Sequence, residues 1–230
     1  MNPLSAATLL NVWERGRDQD PVRRAVGLVT AACVDLSVEA AATLPIGERD
    51  SLLLTLRERI FGPELNGLAD CPNCGERVEM SFGVEQIRTH SPVEREFLLE
   101  APDGVLRARV PNSADLAAAA TRRELLVRCI LEAPAGGEAL SDETLNALES
   151  RLAQADPGAN ILLELGCPAC GNPWHALFDI VGFFWREIDA WARRVLREVH
   201  ALAAAYGWSE AEILALSPWR RQFYLEMVGA

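Results

Sequence analysis

Two short segments of this sequence have a spacing that metal chemistry uses. Cys71-Pro72-Asn73-Cys74-Gly75 and Cys167-Pro168-Ala169-Cys170-Gly171 are each a pair of thiols two residues apart, followed by glycine. A C-x-x-C turn presents both sulfurs to one side and can grip one ion. The glycine permits the turn in which backbone amides point at sulfur and favour the thiolate. Two such knuckles supply four sulfurs, the donor set of the commonest closed zinc site. A closed tetrahedron leaves no position for water, so one zinc held by Cys71, Cys74, Cys167 and Cys170 is expected to be structural, not hydrolytic. Three other chemistries use the same residues: four buried cysteines without metal, an iron held as in rubredoxin-like sites, and a redox dithiol. Matching glycines in both knuckles argue for a clamp over isolated thiols, and a visible spectrum separates zinc from an iron electron carrier.

Nothing else in the chain forms a catalytic constellation. Cys33 and Cys129 lie inside apolar helical patterns and read as small buried hydrophobes. His90, His175 and His200 have no partner at ligand spacing, and His175 falls on the outward face of a strand-like run. No Ser-His-Asp set and no phosphate-cradling glycine loop is present. The expectation is a protein that is not an enzyme and takes no small-molecule substrate.

Charge narrows the partners. The 22 basic residues, all arginine, stand against 33 acidic ones for a net charge of −11, whereas phosphate binding needs a concentrated positive field. Nucleic acid is therefore not expected, and the rival reading, a zinc-ribbon nucleic-acid-associated factor, would need an Arg-rich face on ribbon strands that contain only Arg77. No uncharged apolar run reaches about 18 residues, so no membrane span is expected. The start, Met1-Asn2-Pro3-Leu4-Ser5, lacks the basic-then-apolar pattern of a signal peptide. Six cysteines in such a chain do not read as a disulfide framework, and the expected compartment is the cytoplasm.

The elements that must position the knuckles can be read from caps and periodicity. Ser5 can cap a helix to about Arg15, Asp20-Pro21 starts a second, and a third runs from near Pro45, with Leu53, Leu56 and Ile60 on one face, to Gly62-Pro63. After the first knuckle, Val78, Met80, Phe82 and Val84 alternate as in a half-buried strand. Phe97-Leu98-Leu99 and Val105 to Val110 flank Ala101-Pro102-Asp103-Gly104, a hairpin signal. Ser113 opens a helical stretch that can break at Thr121, and another helix follows from Ser141 with Leu145, Leu148 and Leu152 on one face. The second knuckle lies between two strand-like runs. A long helix from about Phe183 to Tyr206 then carries Ile188, Trp191, Val195, Val199, Leu202 and Tyr206 in one stripe. Ser209 to Glu212 is a capping box, and Ser217-Pro218 starts a last helix bearing Trp219, Phe223, Tyr224 and Met227. The aromatic concentration in this tail reads either as a small helical core or as a docking surface, with Trp219, Phe223 and Met227 as anchors for a partner.

Several of these segments together resemble a known family. LPIGERDSLLLTLRERIFGPELNGLADCPNCGERVEMSFGVEQI, the hairpin followed by PNSADLAAAA, the second CPACG, and the ending GWSEAEILALSPWRRQFYLEM are similar to the T-even-phage-type baseplate hub assembly chaperone proteins. These are encoded among the tail genes of contractile phages and phage-derived contractile injection systems. The resemblance covers most of residues 44–230. It implies a non-enzymatic assembly chaperone or minor structural component of the baseplate hub, with hub or spike proteins as partners, and it supplies no catalytic residues. The fold expected is α+β: a four-cysteine zinc ribbon (67–92 and 158–182) with an inserted hairpin-plus-helix module (93–157), preceded by a helical segment (1–66) and followed by a helical tail (183–230).

Overall fold

The structure, a computed structural model, describes residues 4–134 and 140–229. Met1-Asn2-Pro3, the start of the segment read above for a signal peptide, lies outside the described residues. The elements run α1 (Ala6–Gly16), α2 (Pro21–Ala32), α3 (Val38–Ala42), α4 (Ile46–Phe61), β1 (Glu64–Asp70), β2 (Arg77–Gly83), α5 (Val84–Ile87), β3 (Glu96–Ala101), β4 (Gly104–Arg109), α6 (Ser113–Ala118), α7 (Arg122–Arg128), β5 (Ile130–Glu132), α8 (Asp142–Ala155), β6 (Leu162–Gly166), β7 (Pro173–Leu177), α9 (Ile180–Tyr206), α10 (Glu210–Ala215) and α11 (Pro218–Val228). This is a mixed α+β chain.

Side-chain caps set most helix starts, as the sequence indicated. Ser5, Asp20, Ser141, Ser209 and Ser217 each accept a hydrogen bond from the amide three residues on. The helix expected at Ser113 is capped one residue earlier, where Asn112 and Asp115 exchange side-chain-to-backbone bonds, and it breaks before Thr121, which caps α7. Val84 does not extend β2; it opens the single turn α5. Cys129 is fully buried but sits at the C-terminal cap of α7, not inside a helix, and Cys33 is only half-buried at the end of α2. The segments β1, β5 and α3 go beyond the elements expected.

One core joins the two ends of the chain. Leu9, Leu28, Leu53 and Leu56 from α1, α2 and α4 pack with Phe184, Ile188, Val195 and Leu202 of α9, and with Ile213 of α10. The close crossing of α1 and α9 needs Gly16, because a Cβ there would stand 2.4 Å from the Trp185 ring. Arg57, buried in α4, makes a two-pronged bond to Glu187 of α9 at 2.8 and 2.6 Å and donates to the Gly62 carbonyl at 2.7 Å. A guanidinium taken out of water has to be met by such charge-assisted bonds.

A second, separate core lies in the insert. Phe97 and Ala108 from the sheet β3-β4-β5 pack on Leu126 of α7 and on Leu145, Leu148 and Leu152 of α8. The hairpin turn is at Pro102-Asp103, with Ala101 opposite Gly104, whose φ of +116° only glycine adopts freely. The insert is tied to the helical body at the first turn of α4. There the Ile46 amide bonds the Pro111 carbonyl, the Gly47 amide bonds Asp156 at 2.8 Å, Glu48 pairs with Arg95, and Arg49 donates to Ser113.

Candidate metal centre

Each knuckle is the turn of an antiparallel hairpin. β1 pairs with β2 from Glu64↔Gly83 to Asp70↔Arg77, and residues 71–76 form the tip; β6 pairs with β7 from Leu162↔Leu177 to Gly166↔Pro173, and residues 167–172 form the other. The two tips are built alike. The Cys71 amide bonds the Glu76 carbonyl and the Gly75 amide returns to Cys71; the Cys167 amide bonds the Asn172 carbonyl and the Gly171 amide returns to Cys167. Gly75 and Gly171 have φ of +75° and +72°, the left-handed conformation that glycine was expected to supply.

The hairpins bring their tips together, although about 90 residues lie between them in the chain. The sulfurs of Cys71, Cys74, Cys167 and Cys170 all lie within 4.8 Å of one another. Across the two knuckles, Cys71 and Cys170 sulfurs are 3.7 Å apart and Cys74 and Cys167 sulfurs 3.6 Å. A tetrahedral ion with metal–sulfur bonds of about 2.3 Å needs sulfurs about 3.8 Å apart, so the donor set fits such an ion by geometry and by chemistry. Cys71 and Cys167 are buried and pack with Val78 and the half-buried Trp174; Cys74 and Cys170 face outward.

The local electrostatics point the same way. The Asn73 side-chain amide reaches across to the Cys170 sulfur at 3.5 Å, and with the Asn172 backbone amide it holds that thiol down to about 6. At Cys74 the Glu76 amide favours the thiolate but is outweighed by hydrogen bonding among the clustered sulfurs and by desolvation, which push the thiol up to about 12. Four sulfurs this close cannot all ionise against each other, and a cation held among them removes that repulsion. Asn73, which no spacing rule singled out, is the side chain that adds to the cluster here; its signal was its place inside the knuckle.

The other candidates stay apart. His90, His175 and His200 are exposed, and His175 lies opposite Glu164 on the outer side of its hairpin. Cys129 is walled off, its thiol pushed up to about 12 by burial and the neighbouring Asp115. A cleft of about 670 Å³ is lined by Met80 and Phe82 of β2, Ile87 of α5 and Leu163 of β6. In the tail, Tyr206 and Trp208 stack and both meet Tyr224 edge to face, whereas Trp219, Phe223 and Met227 are exposed. Among the described residues, no helix is long and apolar enough to cross a membrane.

Fold and site together show a mixed α+β chain in which a module with its own core lies, in sequence, between two hairpins whose tips bring four cysteines together. The family model described as T4 bacteriophage base plate protein matches residues 5–185, a span that includes both knuckles and the whole insert, and the chain belongs to that family. No curated protein and no solved structure matches it.

Proposed function

We propose that this chain is a non-enzymatic assembly chaperone or minor structural component of the baseplate hub of a contractile phage tail-like injection system. The observation that carries the reading is the family match over residues 5–185. In this reading the partners are other baseplate proteins, of the hub or the spike, and the site serves architecture alone. One zinc per chain is held by Cys71, Cys74, Cys167 and Cys170 as a structural ribbon-like clamp. A zinc there supplies a cross-link with every coordination position taken by sulfur. The clamp fixes the insert, 93–157, against the body that segments 1–66 and 183–230 build together. A nucleic-acid role is disfavoured by the hairpin strands themselves, which carry Glu64, Asp70, Glu79 and Glu164 against Arg77 alone.

Two measurements test this. Elemental analysis of protein purified without added metal should give close to one zinc per chain; a red, iron-loaded protein from zinc-replete cells would overturn the metal assignment. Omitting the chain from co-expression of the neighbouring hub and spike components should leave them unassembled or aggregated. Normal hub assembly without it would overturn the chaperone role.

A further inference from the structure

The two knuckle hairpins are separate two-stranded sheets, so β2 and β6 each keep one edge with no strand beside it. The bonds at the ends of each hairpin fix which residues use that edge. In the first hairpin the Cys71 amide bonds the Glu76 carbonyl and the Val84 amide bonds the Pro63 carbonyl. Hydrogen-bonded pairs alternate along an antiparallel ladder, so Val78, Met80 and Phe82 bond β1, and Glu79 and Ser81 turn their amides and carbonyls outward. In the second, the Cys167 amide bonds the Asn172 carbonyl and the Phe178 amide bonds the Ile161 carbonyl. Leu163 and Leu165 therefore bond β7, and Leu162 and Glu164 turn outward. Among the described residues, none of these four outward amides meets a loop or a side chain.

All four residues line the cleft of about 670 Å³, together with the inward-bonding Met80 and Leu163 between them. Successive residues of a strand point to opposite faces, so a wall made of consecutive residues is a strand's edge and not its face. The cleft is a slot between two open edges. The next outward amide, that of Gly83, is already taken by the Gln86 side chain at 2.7 Å, so the open stretch ends at α5. On one side of the slot Phe82 and Leu163 pack on the main core. On the other, Glu79 and Glu164 are exposed, and neither makes an ion pair or a side-chain hydrogen bond among the described residues. Acidic side chains on an open edge deter most strands and attract one that carries the opposite charge at the facing positions.

We propose that this slot takes an extended segment of a partner protein as a strand added between β2 and β6. The segment places apolar residues toward Phe82 and Leu163, and lysine or arginine opposite Glu79 and Glu164. Main-chain bonds to the open edges hold it, and the two unpaired carboxylates select it. Because β2 runs away from the cysteine cluster and β6 runs toward it, the added strand lies antiparallel to one and parallel to the other. It joins the two hairpins into one sheet. The proposal stands on the hairpin edges and not on the baseplate role, so either can fail without the other.

Amide exchange of the full chain, read residue by residue with synthetic peptides as probes, tests it. In the free protein the amides of Glu79, Ser81, Leu162 and Glu164 should exchange faster than those of Met80, Phe82, Leu163 and Leu165. A peptide alternating valine and lysine, blocked at both ends, should slow the outward four about threefold at about twice its Kd, since protection grows as one plus the ratio of peptide to Kd. A peptide alternating valine and glutamate should not. Ser81→Pro removes an outward amide that β1 does not use, and proline is tolerated on an open edge, so it should abolish the slowing and leave the melting temperature nearly unchanged. Glu79→Lys with Glu164→Lys should reverse the preference between the two peptides, a readout that stands even if Ser81→Pro does not fold. Outward amides that are already slow in the free protein mean that β2 and β6 pair with each other, and overturn the proposal. Slowing that follows protein concentration instead of peptide gives the slot to a second copy and also overturns it. So do two peptides that act equally, or not at all.

Discussion

Replacing Cys71 and Cys167 by serine, singly and together, asks whether the two knuckles are one site. The geometry allows a magnitude. An ion held by both knuckles cross-links the chain around a loop of about 90 residues, which on the chain-entropy model is worth about 4–5 kcal/mol. For a chain of 230 residues unfolding cooperatively, that corresponds to a melting point lower by about 10 °C. Either serine removes one ligand of the same four, so each single variant should lose the metal and most of that stability. The double variant should then be little worse than either alone, a coupling nearly as large as the single effects. Calorimetry supplies the melting points and elemental analysis the metal content; chelation of the unmutated protein should reproduce the same loss, and zinc should reverse it. Losses that add, to about twice the single value, would refute the shared site. So would a single variant that keeps its metal.

Three further outcomes follow from contacts elsewhere. Arg57→Ala strands Glu187 at the α4–α9 crossing and opens the Gly62 carbonyl, and should cost about 3 kcal/mol in denaturant unfolding; a loss below about 1 kcal/mol would show that water replaces those bonds freely. Gly47→Ala drives a Cβ to 1.9 Å from the Asp156 carboxylate, so it should break the tie between body and insert and raise amide exchange at residues 46–49 and 156–159. Burial lifts the Asp50 carboxyl to about 6 against the attraction of Arg49, with the Asp179 and Asp156 carboxylates adding to the rise. The protonated form is thus favoured by folding: its contribution is whole below about pH 4 and is lost as pH rises through about 6, roughly 2 kcal/mol between pH 4 and pH 8. Asp50→Asn should flatten that part of the stability–pH curve, and an unchanged slope would remove Asp50 as its source.

The residues show what kind of information a sequence holds. Caps are local, and Ser5, Asp20, Ser141, Ser209 and Ser217 were legible because the bond each makes spans three residues. The cluster was legible despite its long separation, because four equal donors with matching glycines leave little else for the pattern to mean. β1 was not, since Gly67 and Ala69 blur its alternation; Gly67 lies so close to Met80 that a Cβ would meet that side chain at 2.7 Å. β5 is three residues long and exists only through β4, and its pairing is already shifted at Arg107 and Ala108. The junction bonds Gly47–Asp156 and Arg49–Ser113 and the Arg57–Glu187 pair join residues 64 to 130 positions apart with no spacing rule to announce them. The stripe of the last helix was readable as a face, but only burial showed that the body packs against its other side.

If the four cysteines hold one ion, as proposed above, their order in the chain sets a timetable on synthesis. Cys71 and Cys74 leave the ribosome about 90 residues before Cys167 and Cys170 do, an interval of roughly 5–20 s at elongation rates of roughly 5–20 residues per second. Throughout it the first knuckle is an open dithiol, exposed to oxidants and to the wrong ion. The insert, with its own core, has the same interval in which to collapse before its two ends are drawn together. In the zinc-bound reading a four-sulfur site can form only after residues 167–172 have been made. The long gap between the knuckles then places ion binding after synthesis of the enclosed module.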